Sequence, residues 1–132
     1  MANSFDVQVA RIMLSGTLGD GDPFPLIKFP SSAGAVTILE CQYTVATAGL
    51  VAGTGILAYG TPVATNGSIL PLATIGTTFG TGGGTFPALA PITVDLTESP
   101  CIVPAGNWLT FAIGTLPDEC QSWVTLAWVH GR

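Results

Sequence analysis

The chain has 132 residues and a formal net charge of −5, and only 8% of its positions are charged, against about 25% in an ordinary soluble domain. Its cations are Arg11, Lys28 and Arg132, too few and too scattered to neutralise a run of phosphates, which argues against a nucleic-acid partner. The length suits one domain, residues 1–132, with a substantial core, and no charged segment followed by an apolar block marks a secretory leader.

The elements read as β-strands from the first to the last. "FDVQVARIML" (5–14) alternates, so that Phe5, Val7, Val9, Arg11 and Met13 share one face. Residues 1–5 form a candidate N-terminal arm, and "MANSFDVQVA" (1–10) as a whole is apolar enough to add to another sheet edge, the alternative being an ordinary first strand of this domain. "GDGDPFP" (19–25) sets Asp20 and Asp22 two apart, a spacing that can hold calcium. Pro and Phe stand where further oxygen ligands would be needed, so the stretch reads as an acidic turn. "PLIKF" (25–29) is a short second strand. "AVTILECQY" (35–43) is the cleanest one, with Val36 and Ile38 expected on one face and Leu39, Cys41 and Tyr43 on the other.

No charged residue occurs from Cys41 to Val94. Within that span, "VATAGLVAGTGILAYGTPVA" (45–64) is the window closest to a membrane span. It is rich in Gly and Thr and ends in a Gly-Thr-Pro turn, whereas a spanning helix needs about 20 predominantly apolar residues. Two short strands around a Gly turn fit it better, and no membrane partner is expected. "GILAYG" (55–60) and "GSILPLA" (67–73) follow, separated by Pro62 and an Asn66-Gly67 hairpin signal. "TTFGTGGGTFP" (77–87) is glycine-rich like a phosphate-binding loop, but that loop requires a following Lys-Ser/Thr and a helix. Here Phe86, Pro87 and another strand follow, so 77–87 is expected to be a connecting loop. "APITVDL" (90–96) is the next strand. "CIVPAGNWLTFAIG" (101–114) holds a short strand, a Pro-Ala-Gly-Asn turn and a strong strand carrying Trp108. "SWVTLAWVHG" (122–131) closes the chain, with Trp123, Thr125, Ala127 and Val129 expected on one face and Val124, Leu126 and Trp128 on the other. Eight or nine short strands, punctuated by 10 prolines and 17 glycines and without helical apolar spacing, predict an all-β fold: an antiparallel β-sandwich, jelly-roll-like.

The chemical inventory is thin. His130 is the one histidine, and no second ligand or base accompanies it. Ser122 and Asp118 are present without the G-x-S-x-G turn of a hydrolase. Glu98, Asp118 and Glu119 lie in turns and read as solvated carboxylates rather than a glycosidase pair. Cys41, Cys101 and Cys120 are odd in number and lack a C-x-x-C spacing, which fits free thiols from a reducing compartment. The expectation is no catalytic residue, no metal site and no cofactor. A surface so poor in charge points instead to association, with Phe5, Val7, Val9, Trp108, Trp123 and Trp128 as candidate interface residues.

The succession "SSAGAVTILECQYT", "IVPAGNWLTFAIG" and "VTLAWVHGR" resembles the small β-sandwich virion proteins of tailed bacteriophages, which decorate or cement capsids or build fibres. The resemblance runs loosely over the whole chain. It implies a jelly roll, often trimeric, without an active site. It also implies synthesis in the host cytoplasm, residence on the capsid surface, and copies of itself and the major capsid protein as partners. The alternative is a receptor- or glycan-binding module of a fibre or tail, stacking Trp108 or Trp123 on a sugar. An enzyme on a cupin-like barrel lacks its His-rich ligand set here.

Overall fold

The computed structural model describes residues 6–14, 24–46, 54–62, 69–79, 86, 88–98, 100–113 and 122–130. Its strands are β1 (Gln8–Leu14), β2 (Phe24–Lys28), β3 (Val36–Val45), β4 (Thr54–Pro62), β5 (Ile69–Phe79), β6 (Ile92–Thr93), β7 (Asp95–Leu96), β8 (Cys101–Val103), β9 (Trp108–Ile113) and β10 (Ser122–His130). The helical content of the described residues is one 3-10 turn, Ser31–Ala33. The expected all-β class is what the chain adopts: two five-stranded antiparallel sheets packed as a sandwich.

One sheet runs β1-β10-β3, with β6 and β8 sharing the far side of β3; the other runs β2-β9-β4-β5-β7. The pairings are nested. β1 pairs with β10, β2 with β9, β3 with β8 and β6, and β4 with β5. β10 against β3 joins the first pair to the third, and β9 against β4 joins the second to the fourth, so alternate pairs share a sheet. Apart from β4 and β5, which pair within one sheet, consecutive strands lie in opposite sheets.

The segment read as one strand over 90–96 is divided. β6 pairs with Gln42 and Tyr43 of β3, whereas β7 pairs with Gly76 and Thr77 of β5 in the other sheet. Val94 lies between them, buried, and its amide donates to the Cys41 carbonyl at 2.8 Å. The chain thus stitches the two sheets together along one side and returns through β8.

Alternation puts the apolar residues of both sheets into one core. β9 sends Leu109, Phe111 and Ile113 inward, and β10 sends Val124, Leu126 and Trp128 inward. β3 departs from the expected two-face pattern. A register shift between Ala127 and Trp128 offsets β10 against β3, and Val36, Ile38, Cys41 and Tyr43 are all buried in the same core. The extra residue of the bulge resets the parity of the strand and leaves Leu39 and Glu40 exposed.

The glycine-rich stretch is shorter than 77–87 suggests. Thr77–Phe79 belong to β5. Phe86 is 1% exposed and meets Tyr43 edge-on, with ring centroids 5.0 Å apart. Apolar burial anchors that end, as it does for any large ring that can leave water. Residues 80–85 and Pro87, the arm 1–5 and the Asn66-Gly67 signal lie outside the described residues. Two glycines are needed where they stand. At Gly55 a Cβ would approach Phe111 Cζ to 2.5 Å. Gly106 takes φ +80 in the expected Pro104–Asn107 turn, where Asn107 Nδ2 donates to the carbonyls of Pro104 and Ala105.

Candidate functional site

The outer face of the β1-β10-β3 sheet is built by the alternation that fills the core. With Ala10, Ile12 and Leu14 turned inward, β1 presents Val9, Arg11 and Met13 outward. β10 adds Trp123, Thr125 and Ala127, and register sets these against Thr44, Gln42 and Glu40 of β3. The charged members of these rows are Arg11 and Glu40. Val9 is 67% exposed and Met13 52%. Trp123 is half-buried, and Arg11 lies over it with the guanidinium carbon 4.2 Å from the ring centroid. Such a contact draws the cation onto the ring through the negative face of its π system. Leu39 and Ile102 extend the exposed apolar surface across β3 and β8.

The sequence-predicted residues separate. Val7 and Val9 are exposed; Val9 shares the outer face with Trp123 but stands opposite Ala127, while Met13 is opposite Trp123. Trp108 lies on the outer face of the opposite sheet, half-buried, across from Lys28 and Gly60. Trp128 faces inward as the alternation requires and is in the core at 7% exposure, with its ring 5.7 Å from Phe29. Its indole N–H donates to His130 Nε2 at 3.2 Å, and its burial leaves little of the ring for a partner. Phe5 lies outside the described residues, as do Asp20, Asp22, Asp118, Glu119 and Cys120. The Arg11–Trp123 stack was missed from sequence because it depends on β1 and β10 being neighbours. The facing outward alternations of those two strands were the signal.

The nucleophiles of the described chain are subdued. Burial, then the neighbouring Cys101 and Glu40, push the Cys41 thiol up to about 12. Burial also raises Cys101, with Glu98 adding to it, and its Sγ lies 3.8 Å from the Ile75 carbonyl. Thiols held protonated in this way are poor nucleophiles and poor metal ligands. Glu40, Asp95 and Glu98 line an open depression of about 440 Å³ where the chain switches sheets. A neighbouring depression of about 310 Å³ is lined by Thr54, Thr77, Thr78, Ile92, Thr93 and Asp95. No group of three or more His, Cys, Asp or Glu poised for a metal ion occurs among the described residues. No described helix is long and apolar enough to cross a membrane.

No protein-family model, curated protein or solved structure matches the chain.

Proposed function

We propose that this chain is a non-enzymatic virion structural protein, a capsid decoration or cement protein that associates with copies of itself and with a capsid subunit. The observation that carries the reading is the outer face of the β1-β10-β3 sheet. It exposes Val9 and Met13 and presents a half-covered Trp123 with hardly any charge, the composition of a surface meant to be covered. The nested strand pairs, with successive pairs assigned to opposite sheets, support a jelly-roll arrangement, the architecture that the resemblance implies. Such a protein binds and stays bound. It adds apolar contact across a junction between capsid subunits and so resists their separation.

Light scattering over a dilution series tests the first half of the reading. A stable oligomer of defined mass, with a melting temperature that rises with protein concentration, is expected. A monomer at every concentration removes self-association from the proposal. The resemblance implies three chains, and the measured mass reads that number directly. Trp108, on the outer face of the other sheet, favours a second reading as a sugar-stacking module. Binding to a glycan array that is lost in Trp108→Ala would select it.

A further inference from the structure

The four edges of the two sheets are not alike. β2 carries Pro25 and a register shift and ends in Lys28. On the far side of β3, β6 and β8 have two and three residues. Beyond β5 lies the two-residue β7, and the rest of that edge holds Pro71 and two register shifts against β4. Proline, lysine, bulges and brevity are the devices that stop an edge from recruiting another strand. β1 has none of them. Its seven residues, QVARIML, pair with β10 in unbroken register from Gln8–Trp128 to Leu14–Ser122. Its one cation, Arg11, is drawn onto Trp123. Among the described residues no strand lies on its other side.

We infer that the β1 edge is a docking edge for β1 of a second copy, joining two sandwiches through one continuous antiparallel sheet. This rests on the self-association proposed above and names the contact. Register follows from side-chain chemistry. A two-fold centred on Arg11 would set two guanidinium groups opposite each other, which is unfavourable. A two-fold centred on Ala10 sets Val7 opposite Met13 and Val9 opposite Arg11 of the second copy. It pairs exposed Val7 with exposed Met13, and no two cations stand directly opposite. The outer face, with Trp123, then runs unbroken across both copies.

The test compares wild type, Val9→Lys with Met13→Lys, and Ile102→Lys as a control elsewhere on the same outer face. All three sites are exposed, so the fold is retained. Light scattering is expected to give an even number of chains, in place of the three that the resemblance implies, for wild type and the control. The double variant should be monomeric, or should need at least about tenfold more protein to associate. Hydrogen exchange supplies the second readout. Alternate amides along Gln8–Leu14 that point away from β10 should be slow in the assembly and fast on dilution to monomer. An assembly that survives the double lysine variant, that contains only three chains, or that leaves those amides fast overturns the β1 pairing while self-association stands. Wild type that is monomeric throughout overturns both, leaving a partner of another kind to cover the edge.

Discussion

The two ends of the sandwich are closed in different ways. At one end Tyr43, Phe86 and Phe111 form a cluster in which none is more than 1% exposed; Phe86 stands edge-on to Tyr43 and the Phe111 ring lies 5.0 Å from it. At the other end Phe29 packs on Trp128, and Trp128 reaches His130, whose ring is exposed. The first end is sealed by Phe86. The second is sealed by Phe29, just past β2, and the last residues of β10, with a polar atom at its rim. The contrast shows that regular alternation fills the middle of the core, whereas each end needs its own solution.

The largest effect expected from breaking this contrast is at the sealed end. Phe86→Ala leaves a ring-sized hole over Tyr43 and should cost about 3–5 kcal/mol, read as a shift in the urea midpoint. A loss below about 1 kcal/mol would mean that the end collapses around the gap or that Phe86 does not close it.

The same closed interior sets a pH dependence. Cys41, two residues before Tyr43 and inward-facing with it, is raised from 9.0 to about 12, chiefly by burial. Below the lower value both folded and unfolded chains hold the proton, and the stabilisation is complete. As the pH rises through the window the unfolded chain ionises first. Stability should then fall by about 1.4 kcal/mol per pH unit relative to a chain lacking the thiol. Unfolding profiles of wild type and Cys41→Ala between about pH 9 and pH 11 isolate this slope. Parallel profiles would show that the thiol is already open to solvent.

The smallest effect belongs to the open end. His130→Ala removes the acceptor of the Trp128 indole, which lies where water can replace it. A loss of about 0.5–1.5 kcal/mol is expected in the same assay. A loss as large as that of Phe86→Ala would erase the distinction between the ends.

Sequence periodicity disclosed much of this fold. β9, β10 and the Pro104–Asn107 turn stand where the pattern placed them, and the opposed directions of Trp123 and Trp128 followed from counting by twos. Two features escaped it. The bulge that turns Cys41 and Tyr43 into the same core as Val36 and Ile38 is a property of the β10 pairing, not of the β3 sequence. The division of 90–96 between two sheets is likewise invisible in a run that reads as one strand. The candidate surface was half legible for the same reason. Val7, Val9 and Trp123 could be marked one strand at a time, but their meeting on one side of one sheet required the register of β1 on β10.

The nested pairing also governs how the chain can be cut and rejoined. The first residue of β1, Gln8, faces Trp128 near the end of β10, while the innermost pair, β4 and β5, is separated by a few residues. The pair farthest apart in sequence is the slowest to close, because the intervening chain must surrender its freedom first. A circular permutant that links the end of β10 to the start of β1 and opens between Pro62 and Ile69 keeps every one of these contacts. It makes β1–β10 the local hairpin and β4–β5 the long-range closure, so the same sandwich is reached in the opposite order.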